Sequence, residues 1–236
     1  MAEAVRSGED ADVHAAIGRA LVAAYPEARC ELNARTPWEL LVAAILSARA
    51  TDFQVNKVMA VLNEHYTGPA SFAALDHRDL QRAVRQVPLF RQKARAIVEA
   101  ARAVMRLHHG RVPESSEALV RLPGVGRKTA AVILGNAFGI PAVAADVHVQ
   151  RIVHRLGWIA EEHPLHAERA LTARFPPHQW VPLCHQLIRL GRDCCRRLKP
   201  RCARCPLAAW CPRQGVEAGD SASGPAARDG GDPDVV

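Results

Sequence analysis

At 236 residues the chain can build one large domain or two modest ones with a real core. Aromatics make up only 5% beside abundant Ala, Leu, Val and Ile, which favours packed helices over aromatic-rich sheets. The formal charge is +7, yet residues 213–236 set two arginines against five acids, so that segment carries −3 and the rest +10.

No apolar run approaches the roughly 20 residues that span a bilayer. The acidic start (Glu3, Glu9, Asp10, Asp12) matches neither a secretory signal nor a transit peptide. Membrane and secreted classes are set aside, and a soluble cytoplasmic protein is expected. A basic body favours a polyanionic partner through counterion release, although an arginine-biased composition produces the same charge.

Along the chain, helix signals are frequent and strand signals scarce. Val13, Ile17 and Leu21 recur at four-residue spacing. Thr36-Pro37-Trp38-Glu39 reads as a capping box opening a segment that is apolar nearly all round to Leu46, hence a central buried helix. Asp52 is placed to cap the next helix, with Val55, Val58, Met59 and Leu62 on one face. Asp76 and Asp79 open another, reaching about Val84. After a loop around Pro88 comes a helix with Ala94, Ile97, Val98, Ala101 and Met105 inward, stopped near Gly110.

Ser115 or Ser116 starts a short helix ending at Leu122, and helical character resumes from Arg127 to Phe138. Asp146 can cap a helix running to Leu156. Further helices are expected near Leu165–Ala173 and Gln179–Leu190. From about 213 the Gly/Ser/Pro/Asp-rich tail lacks the apolar surface to fold.

The stretch Leu122-Pro123-Gly124-Val125-Gly126-Arg127-Lys128 predicts a helix hairpin. Two glycines one residue apart let the chain reverse through positive φ. Backbone N–H groups then point outward at a helix start, where phosphate binds, with Arg127 and Lys128 beside them. Val125 would pack inward. An ordinary interhelical turn is the competing reading.

Five of the seven cysteines fall within residues 194–211. Cys195, Cys202, Cys205 and Cys211 have the spacing C-x6-C-x2-C-x5-C. Such convergence from one loop suits a [4Fe–4S] cubane with one iron per thiolate, although zinc also accepts four thiolates. Arg192, Arg196, Arg197, Lys199, Arg201 and Arg204 interleave them. Cys194 is the spare, and Cys30 and Cys184 read as small core residues.

The hairpin Leu122–Lys128, the segment Val143-Ala144-Ala145-Asp146-Val147-His148-Val149-Gln150-Arg151 and the four-cysteine loop together resemble the endonuclease III family of DNA glycosylases. Leu46-Ser47-Ala48-Arg49-Ala50-Thr51-Asp52 looks like that family's early loop. The resemblance covers roughly residues 13–212. It implies an all-α, two-domain helix-hairpin-helix glycosylase fold: residues 1–30 complete a cluster domain, 31–140 form a six-helix domain with the hairpin, 141–212 carry the cluster, and 213–236 are a disordered tail. It also implies a [4Fe–4S] cofactor on the four cysteines named above. The expected partner is double-stranded DNA bearing damaged bases or abasic sites. A monomer is assumed, cytoplasmic and nucleoid-associated.

The activity implied is excision of oxidised pyrimidines followed by β-elimination. Lys128 would be the nucleophile, because only an amine forms the Schiff base, and Asp146 its acidic partner. Read without the family, Lys128 is first a phosphate contact, and Asp146 is equally a helix cap. With only four lysines against 27 arginines, an amine at the hairpin stands out. Gly124, Val125, Gly126 and Arg127 would grip the backbone. Leu89 lies where the family fills the gap left by a flipped nucleotide. His148 matches a motif histidine suited to packing or phosphate contact.

Two positions depart from the family. Arg49 stands where glutamine is usual, and arginine would favour guanine opposite the lesion. Pro88 replaces a common glycine. The alternatives are a monofunctional mismatch glycosylase, against which Leu40–Leu46 lacks an acid, and a metal-stabilised DNA-binding module without catalysis.

Overall fold

A computed structural model describes residues 2–217, with side chains from Asp10 onward. Among the described residues all regular structure is helical, in two compact units. Residues 218–236, most of the expected disordered tail, lie outside the described residues.

Cys30–Ala142 form one unit. Its helices are α2 (Pro37–Ser47), α3 (Asp52–His65), α4 (Gly68–Ala73), α5 (His77–Ala83), α6 (Phe90–His108), α7 (Ser116–Leu119) and α8 (Arg127–Ala137); α1 (Ala2–Ala24) belongs to the other unit. In α2 every residue from Trp38 to Leu46 except Glu39 is buried, as its all-round apolar pattern requires.

The α2 start differs from the expected box by one residue. Thr36 Oγ1 accepts from the Glu39 N–H at 3.1 Å. The Glu39 carboxylate, however, accepts from the Arg35 N–H at 2.8 Å, because it also pairs with the Arg35 guanidinium. A full capping box appears instead at α3, with Thr51 as cap and Gln54 reaching back. Asp52 is therefore the first helical residue and not the cap.

Helix α4 was not expected, since its Gly-Pro opening reads as a turn. In α6, Val104 is buried and Met105 is exposed, because the inward stripe turns one position earlier than anticipated. Trp38 and Tyr66 both pack against Phe72 beneath α4, with ring centroids about 5.5 and 5.4 Å away.

Among the described residues, the second unit comprises residues 2–29 and 143–217. It contains α1 (Ala2–Ala24), α9 (Val147–Arg155), α10 (Pro164–Thr172) and α11 (Trp180–Asp193), followed by a 3-10 turn at Cys202–Arg204. Ile17 and Leu21 bury against Val149, Ile152, Val153, Leu187 and Leu190, while Val13 is left partly exposed. Beyond Pro212 the backbone still folds back on α9: the Gln214 N–H donates to the Arg155 carbonyl at 3.1 Å. The boundary expected at 213 thus falls a few residues early.

Candidate functional site

In the first unit the hairpin is fixed by packing. Gly124 has φ +78°, and a Cβ there would lie 2.8 Å from Ala96 Cβ and 3.4 Å from Ile45 Cγ2. Glycine is required twice over, by backbone angle and by the closeness of α2 and α6. Gly126 differs from expectation. Its φ is −92°, an extended conformation open to any residue, and a Cβ would meet nothing within 4 Å. What Gly126 supplies is bare backbone: it caps α8 with no side-chain hydrogen bond to the first turn, leaving room for an anion to approach. Val125 and Leu122 are buried, joined by a Val125 N–H to Leu122 carbonyl bond of 3.1 Å.

Arg127 and Lys128 open α8 and are exposed. The other three lysines are placed differently. Lys57 Nζ lies 4.3 Å from the Phe53 ring centroid. Lys199 sits in the cysteine loop. Lys93 is buried, with Nζ donating to the Leu46 carbonyl at 2.8 Å and to the Ala48 carbonyl. Burial alone pulls the Lys93 pKa down to about 8. A low pKa would suit an amine nucleophile, but an ammonium enclosed by two carbonyls cannot meet a sugar. Of the four amines, Lys128 alone stands beside the hairpin.

Arg49 and Leu89 share a backbone feature that the sequence did not announce. Both adopt the left-handed region, at φ 56° and 58°, where side chains are disfavoured. Arg49 is exposed just past α2, and Leu89, 45% exposed, caps α6.

In the second unit Asp146 is the N-cap of α9. Its Oδ1 accepts from the buried Val149 N–H at 2.9 Å, which holds the carboxylate in one orientation. His148 is buried; a Cβ on Gly191 would fall 2.7 Å from its ring, and Nδ1 lies 3.0 Å from the Arg151 guanidinium. It is packed into the unit.

Two buried arginines on α9, which sequence reading passed over, grip the cysteine loop. Arg155 donates to Cys195 Sγ (3.3 Å) and to the carbonyls of Arg196 (2.7 Å) and Arg197 (3.0 Å). Arg151 donates to the Cys195 carbonyl at 3.0 Å. Their i, i+4 spacing on an otherwise apolar face was the available signal.

Cys195, Cys202, Cys205 and Cys211 line one pocket, with Cys194 and Arg155 also on its wall. Among the described residues, no three or more His, Cys, Asp or Glu are gathered as a single metal ion would require. Four cysteine thiolates from one loop are the donor chemistry of an iron–sulfur cubane, one thiolate to each iron. The Cys194 thiol donates to the Arg201 carbonyl at 3.1 Å. Cys184 is buried in the core, which pushes its thiol up to about 12, whereas Cys30 is only half-buried.

Among the described residues, no helix is long and apolar enough to cross a membrane. Residues 42–177 match the model of the HhH-GPD superfamily of base excision DNA repair proteins. The chain is 41% identical over 190 residues to endonuclease III of Bacillus subtilis strain 168, covering 79% of this chain and 86% of that one. It is 38% identical over 186 residues to endonuclease III of Escherichia coli K12, covering 79% and 88%. A solved trapped endonuclease III–DNA covalent intermediate superposes with a TM-score of 0.78 at 39% identity, covering 82% of this chain and 91% of that one.

Proposed function

Because this chain belongs to the HhH-GPD superfamily and matches endonucleases III over most of its length, it is a base excision DNA glycosylase and abasic-site lyase, and we propose that Lys128 is its nucleophile. The observation that carries the assignment is the position of Lys128, exposed on the first turn of α8, directly after a glycine that bares the helix end.

DNA phosphate settles on the N–H groups after Gly126, with Arg127 adding charge. The damaged nucleotide, an oxidised pyrimidine, turns out of the duplex. The Lys128 amine attacks C1′ of the sugar; its lone pair forms the N–C1′ bond as the glycosidic bond breaks and the base leaves with that electron pair. Ring opening gives a Schiff base, loss of the C2′ proton follows, and the 3′ phosphate departs by β-elimination. Asp146, oriented by its bond to Val149, offsets positive charge developing on the sugar and relays protons. Arg49 and Leu89 occupy the space left opposite and beside the extruded nucleotide. His148 supports α9 from inside the unit.

Cys195, Cys202, Cys205 and Cys211 would hold a [4Fe–4S] cluster, which supplies a rigid staple for the basic loop when bound. The protein acts as a monomer on duplex DNA in the cytoplasm.

The test is borohydride reduction in the presence of DNA containing an abasic site. Wild type forms a covalent complex, and Lys128→Gln forms none. A Lys128→Gln protein that still cross-links would refute the assignment of the nucleophile. A folded wild type that binds this DNA without ever cross-linking would reduce the chain to a binding module.

A further inference from the structure

Lys93 is buried in the first unit, on the first turn of α6, and it belongs to no part of the chemistry above. A buried ammonium is costly unless something repays it. Here its Nζ caps the end of another helix, donating to the carbonyls of Leu46 and Ala48, the last turn and C-cap of α2. Those carbonyls have no intrahelical donor, and positive charge at a helix C-terminus is favoured.

The next residue after Ala48 is Arg49, in its left-handed conformation. At the other end of Lys93, its backbone N–H donates to the carbonyl of Leu89 at 3.1 Å, and Leu89 is left-handed too. One residue therefore bonds to the turn that presents Arg49 and to the turn that presents Leu89. The hairpin rests on the same two helices, since Gly124 meets Ile45 of α2 and Ala96 of α6.

We infer that Lys93 is a positioning residue that locks the Arg49 and Leu89 turns in register with each other, so that both enter the duplex together. The inference rests on the reading that these two side chains fill the gap left by the extruded nucleotide. Lys93 does not touch DNA. Its ammonium bonds to the carbonyls just before Arg49 and its backbone N–H to the carbonyl of Leu89, so both left-handed turns are fastened to one residue.

The distinguishing property of such a role is that it matters only when a duplex must be opened. The experiment uses the full chain with its cofactor and the variant Lys93→Met, which keeps the stem and removes the donors. Two single-turnover rates are measured: excision of an oxidised pyrimidine from duplex DNA, opposite adenine and opposite guanine, and strand cleavage at an abasic site in single-stranded DNA. Expected for Lys93→Met is a loss of roughly tenfold or more on duplex, as sub-ångström misplacement gives. The opposite-base preference flattens, while the single-stranded rate falls by less than about twofold.

Lys93→Gln retains donors on a stem one bond shorter and recovers part of the loss; it also decides the matter should Lys93→Met fail to fold. In a Leu89→Ala background, Lys93→Met costs much less than in wild type. Equal loss on both substrates, or no loss on duplex, overturns the proposal. A wild type that cleaves neither substrate overturns the functional reading beneath it, and that result is distinguishable because the control itself fails.

Discussion

The two units position their chemical groups by different means. In the unit of Cys30–Ala142 the hairpin lies on apolar helices, and its shape is set by the contact of Gly124 with Ile45 and Ala96. In the other unit the cysteine loop sinks Cys194 and Leu207 into the core, and polar tethers are added to that packing: Arg151 and Arg155 tie its backbone to α9 through guanidinium bonds. Apolar packing is cooperative and tolerant of solution conditions, whereas a polar tether depends on each donor being present. The comparison predicts that one unit keeps its shape when a ligand is removed and the other does not.

The sharpest way to break that comparison is to remove a cysteine. Cys202→Ala is expected to reduce iron from about four per chain to below one, with bleaching of the visible absorption. Amide exchange should accelerate throughout residues 194–211 while α2 and α6 remain protected. Equal acceleration in both units would show that they are not independent in this respect. Next in size, Arg155→Met is expected to weaken cluster retention about 10–100-fold, read as the rate of iron release to a chelator, since partners of ligating groups carry effects of that order. Unchanged release would mean that the Arg155 bond to Cys195 Sγ is incidental.

On the apolar side, Gly124→Ala is expected to destabilise by roughly 2–4 kcal/mol in urea unfolding, combining a left-handed backbone with overpacking against Ala96. Gly126→Ala, with open space and extended backbone, is expected to cost less than about 0.5 kcal/mol in stability while weakening DNA affinity. Similar stability losses at the two glycines would contradict the distinction between them.

The smallest effect concerns pH. Burial depresses the Lys93 pKa from 10.5 to about 8 in the folded protein. Between those values the unfolded chain binds more protons than the folded one, so this residue's contribution to stability increases as pH rises through that window and is flat below it. The Tm of wild type minus that of Lys93→Met is therefore expected to climb from pH 8 to 10. A difference independent of pH would contradict the depressed pKa.

What the sequence made legible was local. Caps at Thr36, Asp76, Ser115 and Asp146 each bond to an N–H two or three residues ahead. The buried nature of α2 followed from its composition, and the cysteine spacing marked its loop. What escaped involves partners far apart in the chain or unusual backbone. Lys93 finds its carbonyls 45 and 47 positions away, and Arg155 reaches across about 40. Nothing in the side chains of Arg49 and Leu89 announces a positive φ, because glycine is the residue that normally does so. At α3 two adjacent residues could cap, and the choice of Thr51 over Asp52 depended on Gln54 reaching back.

The seat of Gly124 on Ile45 and Ala96 has a thermodynamic consequence. The turn meets its polyanion already shaped, so encounter does not have to freeze a wandering loop, and little chain entropy is lost there. Heat capacity measured on association would then reflect water leaving the surfaces, with no component from ordering of this segment.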